Sequence, residues 1–187
     1  NGDKAMAKKG FSVFCGLFLV AGFSLLWVTS VDAAGQLEVT SSAFEEGANI
    51  PSDFTCDGEE LSPPIQWASA PDGTKGFAVV VSDPDAPSGN WVHWMIYDLS
   101  PELDQLPLGI SAKAVIPGGG FQGKNDFGKM GYGGPCPPQG AHRYFFKVYA
   151  LDTILHLEPG VSKEQLERAM RGHILAEGSL MGRYERS

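Results

Sequence analysis

The placement of proline constrains this chain more than any other feature. The prolines sit between short apolar runs and not inside them, and glycine and aspartate gather in the same gaps. Proline has no N–H to give to a ladder, so a sheet excludes it from strand interiors. Apolar runs punctuated in this way are the rhythm of an antiparallel β protein. Leu37–Ser41 alternates as a strand should, and Ile65–Trp67 follows the entry Ser62-Pro63-Pro64. Gly76–Ser82 is rich in β-branched residues and predicts a buried strand. Trp91–Leu99, Arg143–Leu151 and a final segment, Ile174–Tyr184, predict three more. One helix is signalled by a capping box, Ser162-Lys163-Glu164-Gln165, followed by Leu166, Ala169, Met170 and His173 at helical spacing. The expected class is all-β with a minor helix.

The longest irregular stretch is Pro117–Gly140, with nine glycines and four prolines in 24 residues. Loops of that length in compact domains are usually functional or mobile. Gly118-Gly119-Gly120 and Gly123-Lys124 do not make a phosphate loop, because no Ser or Thr follows Lys124 and no strand-to-helix context surrounds it.

Residues 1–33 read as a leader. Lys8 and Lys9 form a basic start, Phe11–Val31 is nearly free of charge, and Val31-Asp32-Ala33 resembles a processing site. The competing reading is an uncleaved anchor, since the apolar run is long enough to span a bilayer. Met6 fits a translation start, which makes residues 1–5 an upstream extension. Cleavage leaves residues 34–187, enough for one domain with a real core. No linker or repeat divides them. The expected location is outside the cytoplasm, periplasmic or secreted, with no stable membrane span after cleavage. Losing three lysines and two aspartates with the leader leaves a net charge of −9. An acidic domain of this kind is a poor partner for nucleic acid, whose phosphates demand a basic face.

Two cysteines remain after processing, Cys56 and Cys136. An even count in an exported chain makes a disulfide plausible. Two buried free thiols are the alternative.

Polar residues collect at the strand ends. Strand alternation puts Trp91, His93, Met95 and Tyr97 on one face and Val92, Trp94 and Ile96 on the other. It puts His142 and Tyr144 together, with Arg143 opposite. Asp83 ends the face of Phe77, Val79 and Val81. A carboxylate beside two imidazoles can fix their tautomers, and a tyrosine hydroxyl adds a donor. Such a set over an apolar floor suits a small phosphate- or carboxylate-containing ligand. Each residue also has a plain structural reading. The histidines can be hydrogen-bonded core residues, Asp83-Pro84-Asp85-Ala86-Pro87 a turn, and Trp67, Trp91 and Trp94 simply core. Asp83, His93 and His142 have metal-ligand chemistry, but no metal-type spacing supports an ion. Cys136 near His142 can be cast as nucleophile and base, which makes a hydrolase the enzymatic alternative. No Gly-x-Ser-x-Gly elbow is present. The chain is read as a binding or modulatory protein without cofactor, not as an enzyme.

In their order, Asp83-Pro84-Asp85-Ala86-Pro87, Trp91-x-His93 and Gly140-x-His142-Arg143-Tyr144 resemble the phosphatidylethanolamine-binding protein family, also called Raf-kinase-inhibitor-like proteins. Phe54-Thr55-Cys56-Asp57-Gly58, Ser62–Trp67, Asp126-Phe127-Gly128 and Tyr132–Pro138 are similar to its bacterial branch. The resemblance runs from about Leu37 to Arg186. It implies a Greek-key β-sandwich of a large and a small antiparallel sheet, with a pocket for phosphate-type groups such as the phosphoethanolamine head group. It places Asp83, His93, His142 and Tyr144 in that pocket, with Gly134 and Pro135 beside it. It implies action by binding lipid head groups, kinases or proteases and no common catalysis. A protein-interaction module with a vestigial pocket is the alternative it leaves open. The C-terminal helix of mammalian members has no clear counterpart after Gly172, and Cys56 and Cys136 are absent from the mammalian pattern.

Overall fold

A computed structural model of the protein describes Gly2 and residues 35–116 and 119–186. The leader reading concerns residues that lie outside this set. Among the described residues, nine strands and one α-helix follow in chain order: β1 (Gly35–Gln36), β2 (Glu38–Thr40), β3 (Ile65–Ala68), β4 (Gly76–Asp83), β5 (Trp91–Leu99), β6 (Gln105–Leu106), β7 (Phe121–Gln122), β8 (His142–Leu151), α1 (Lys163–Met170) and β9 (Ile174–Tyr184). They form a six-stranded sheet in the order β1-β9-β8-β4-β5-β7 and a three-stranded sheet in the order β2-β3-β6. All pairings are antiparallel except that of β1 with β9. The expected all-β class with a large sheet, a small sheet and a minor helix is the observed one.

The main core lies between the sheets. Val39, Ile65, Trp67 and Leu106 of the small sheet meet Phe77, Val79, Val81, Trp94, Ile96, Tyr144, Phe146 and Val148 of the large one. A second core covers part of the other face of the large sheet. There Leu166 and Met170 of α1 pack on Ala78, Val80, Met95 and Tyr97. β4 is therefore buried along its whole length, which is why its sequence runs apolar without alternation. Ser162 caps α1 as expected: its side chain accepts from Gln165 N, while Gln165 Oε1 accepts from Ser162 N at 2.8 Å. The span after Gly172 is β9, paired along β8.

The strict alternation expected for β5 fails in an informative way. Val81 pairs with Trp94, but the next residue, Ser82, pairs with Val92. One extra residue on β5 makes a bulge at His93. Beyond the bulge Met95 and Tyr97 face the helix side, together with Val92, while Trp94 and Ile96 face the sandwich core. His93 does not share the face of Met95 and Tyr97. It is turned to the Asp83 and Tyr144 side, the side it shares with Trp91.

The disposition of residues 119–140 is set by pairing along β5 and not by a local sequence signal. β7 pairs with β5 at Ile96 and Tyr97. The chain then follows the β5 edge, with Gly123 N donating to Met95 O, Asp126 N to Val92 O and Gly133 N to His93 O. Buried Asn125 organises the turn: its Nδ2 donates to Gly131 O at 2.9 Å, and its Oδ1 accepts from Phe127 N and Lys129 N.

Close backbone approach sets a further demand at Gly178, whose added Cβ would run into the carbonyl oxygen of Leu37. Gly178→Ala should destabilise the fold by about 1–3 kcal/mol, the usual range for overpacking. Urea unfolding should show a lower midpoint with an unchanged slope.

Candidate functional site

Three adjacent strands of the large sheet end in one place. β4 lies between β5 and β8, so Asp83 at its end meets Trp91 of β5 and the start of β8. Asp83 Oδ2 lies 2.7 Å from His142 Nδ1, and both residues are buried. The carboxylate accepts the Nδ1–H, which leaves Nε2 as the remaining polar atom of the His142 ring. The other oxygen, Oδ1, accepts from Asp85 N at 2.8 Å, so the turn after β4 fixes the carboxylate.

The bulge aims His93 at the same place. Its Nδ1 lies 2.7 Å from Gly133 O. A carbonyl only accepts, so Nδ1 carries the proton and Nε2 is the ring's free acceptor. Burial pushes the His93 pKa below its ordinary value, against the upward pull of the Gly133 carbonyl, Asp83 and Asp126. The ring is therefore neutral at neutral pH. Its edge packs against Tyr144 with centroids 5.2 Å apart.

Tyr144 forms the floor. Its hydroxyl oxygen is buried and makes no close hydrogen bond among the described residues, with the Asp83 carboxylate and the Cys136 backbone amide nearby. Burial, and then the nearby Asp83 charge, hold its pKa far above the usual phenol value. The group stays a protonated donor, and a buried donor without a partner calls for an acceptor.

Asp83, His93, His142 and Tyr144 line one cavity of about 200 Å³. Its walls are Trp91 and Phe127 on one side and Cys136, Pro137 and Pro138 on another, with Ala86, Pro87 and Ser88 at the turn. Trp91 is thus half-buried wall and not core, whereas Trp67 and Trp94 are core. Gly134 and Pro135 stand behind the wall. A Cβ on Gly134 would lie 2.8 Å from the Thr55 backbone, and Pro135 O accepts from Cys56 N at 3.1 Å. They dock the wall on the Phe54–Cys56 segment and do not face the cavity. Cys56 and Cys136 are joined as a disulfide. No group of three or more His, Cys, Asp or Glu suited to a metal ion occurs among the described residues.

Sequence reasoning missed three contributors. Asp85 holds Arg143 through a two-toothed pair at 2.7 and 2.8 Å and also accepts from Arg143 N. The Asp-x-Asp spacing and the His-Arg step were the available signal: one pair closes inside the sandwich and the other outside it. Asp126 accepts from Val92 N at 2.7 Å beside the bulge. Phe127, though 44% exposed, supplies the aromatic wall with Trp91.

A family model described as phosphatidylethanolamine-binding protein matches residues 40–185. The chain belongs to the phosphatidylethanolamine-binding protein family. It is similar to a UPF0098 protein of Methanothermobacter thermautotrophicus, 48% identical over 80% of this chain and 99% of the relative. A UPF0098 protein of Aquifex aeolicus is 47% identical over 80% of this chain and 89% of its own length. Among solved structures, a phosphatidylethanolamine-binding protein homologue of Chlamydia trachomatis is 42% identical with a TM-score of 0.75. It covers 82% of this chain and 100% of that one. E. coli YbcL, described as a member of the mammalian family, is 33% identical with a TM-score of 0.76 and the same coverage. Membership supports a protein of the binding type.

The Asp85–Arg143 pair has a pH signature. Hydrogen bonds from Arg143 lower the Asp85 pKa to about 2 from an ordinary 3.8. A depressed carboxyl contributes stability that is present above the unfolded value and lost as pH falls through the folded one. The loss therefore falls between about pH 4 and pH 2. Asp85→Asn should remove that part of the acid limb, and thermal melts of both proteins across this range test it.

Proposed function

We propose that this protein binds a small phosphorylated or carboxylate ligand in the Asp83/His93/His142/Tyr144 cavity, acts by binding and not by turnover, and works outside the cytoplasm. The observation that carries the reading is the unpartnered Tyr144 hydroxyl, buried between two imidazoles whose Nδ1 atoms are both already engaged. The orientation of each ring is fixed before any ligand arrives, which favours affinity.

The chemistry then follows from the donors and acceptors. Tyr144 O–H donates to a ligand oxygen. His142, when protonated, donates from Nε2, and its charge offsets that of Asp83. Neutral His93 accepts at Nε2, so it prefers a ligand oxygen that brings its own proton. A phosphomonoester with one remaining proton meets all three demands, because its second pKa lies near about 6. The volume, about 200 Å³, is below the range of about 300–1,000 Å³ for drug-sized ligands. This space suits a head group such as phosphoethanolamine or free phosphate, with anything longer left outside.

One observation supports action by binding: Cys136, the one residue cast as a nucleophile, is bonded to Cys56 and is no thiolate. The disulfide and the leader reading both favour an oxidising compartment. No helix among the described residues is long and apolar enough to cross a membrane.

Titration with phosphate and phosphoethanolamine should give saturable NMR shifts of the His93 and His142 imidazoles. His142→Ala should weaken binding by about tenfold or more, the ordinary scale for a hydrogen bond to a charged group. Shifts absent at millimolar ligand would sink the reading and turn attention to a protein partner. Affinity should also fall as pH rises from about 5.5 to 8, as the ligand loses the proton that neutral His93 accepts. A flat profile by calorimetry would contradict this account of the cavity.

A further inference from the structure

The cavity wall depends on a sulfur–sulfur bond. Among the described residues, Cys136, Pro137, Pro138, Gln139 and Gly140 make no close hydrogen bond to the rest of the fold, and the polar contact they do have is the Cys136 amide beside the Tyr144 hydroxyl. The two prolines have no N–H to offer. The last backbone anchor before them is Pro135 O, and the next is His142, where β8 begins. Between these points the Cys56–Cys136 disulfide is the tether, with Cα atoms 5.4 Å apart.

The two halves of the tether are unequal. The Cys56 side is fixed. Asp57 accepts from Tyr184 Oη at 2.7 Å and pairs with Arg186 at 3.1 Å, while Phe54 O accepts from Tyr132 Oη at 2.9 Å. The Cys136 side has the disulfide, the packing of buried Pro137 and the Cys136 amide beside Tyr144, with no strand pairing or side-chain ion pair to hold it. Cys136 is exposed and Cys56 half-buried, so an incoming thiol reaches Cys136 first.

We propose that the Cys56–Cys136 bond is a thiol-exchange site that gates the cavity: a low-molecular-weight thiol opens it at Cys136, and the freed Cys136–Pro138 wall no longer closes the anion site. The attacking thiolate forms a bond to Cys136 Sγ. The bond to Cys56 breaks, and Cys56 Sγ leaves with the electron pair and takes a proton from solvent. A second thiol attacks the incoming sulfur, releases Cys136 as a thiol and departs as the oxidised thiol dimer. Two thiols are oxidised and one protein disulfide is reduced. The wall shields Tyr144 and His93 from water, so its release hydrates both and lets the preorganised donors relax. The ligand half of the proposal rests on the anion-binding reading; the opening of the wall does not.

The experiment treats the intact protein with glutathione and locates the adduct by mass spectrometry. It then measures phosphate affinity through the imidazole signals of the oxidised and fully reduced protein. An adduct on Cys136 and affinity lower by about tenfold, within the usual range of coupling between sites, uphold the proposal. Equal affinities, an adduct on Cys56, or a disulfide inert in the native protein overturn it. Should neither form bind phosphate, the anion reading fails, and the gate is judged without ligand from the His93 and Trp91 signals. Their change on reduction upholds the gate, and their constancy overturns it. Amide hydrogen exchange separates gating from collapse. Protection kept throughout β4, β5 and β8 on reduction supports a gate, while its loss there shows a disulfide that merely holds the fold and overturns it.

Discussion

The hydrogen bond between Asp83 Oδ2 and His142 Nδ1 joins the ends of two neighbouring strands, 59 residues apart in sequence, inside a buried site. A buried carboxylate is tolerated only when its lone pairs are taken up, and here one oxygen holds His142 and the other holds Asp85 N. Removing either partner leaves a charge or a donor stranded beside Tyr144. The pair also sets the His142 tautomer, so the atom facing a ligand is decided by the carboxylate behind it. Outside the sheet the same two segments are clasped again by Asp85 and Arg143. That outer pair is half in solvent, so its energetic weight is small. Its effect is geometric, because it holds the turn after β4 against the start of β8.

His93 reaches the site by a different route. A regular β5 would send it to the side of Met95 and Tyr97, under α1. The bulge at Val92–His93 turns it across the sheet edge, and the Asn125–Gly133 loop holds it there through Gly133 and Asp126. The glycine-rich stretch is thus a bracket along β5 that ends in the cavity wall. Its glycines fit where backbone must approach backbone, as at Gly134 against Thr55. The disulfide finishes the bracket. By loop-closure entropy alone a link across 80 residues contributes about 4–5 kcal/mol to stability, yet its position on the wall matters more to the site than that figure.

The result is a cavity in which polar atoms are oriented before a ligand enters. The imidazoles cannot rotate freely, the phenol cannot ionise, and aromatic and proline walls exclude water on two sides. Electrostatic interactions strengthen in such a setting, and so does the penalty for a missing partner. The bare Tyr144 hydroxyl therefore weighs more in the functional reading than the histidines, whose bonds are already made.

Much of this was legible from residues alone. Strand positions followed from β-branched runs bounded by proline, and α1 from its capping box, because those signals act over a few residues. The grouping of Asp83, His142 and Tyr144 was readable too, since alternation puts His142 and Tyr144 on one face and leaves Asp83 at a strand end. The face of His93 was not readable. One extra residue in β5 reverses the alternation, and only pairing with β4 shows where that residue falls. The double clasp, the wall made by Cys136–Pro138 and the retreat of Gly134 and Pro135 behind it likewise depend on contacts between distant segments. Sequence by itself determined the elements and the chemical kinds of group available at their ends, because propensity and periodicity are local. Tertiary structure alone decided which groups share a cavity and which atom of each ring faces it. Those outcomes are fixed by strand register and by hydrogen bonds to partners far along the chain.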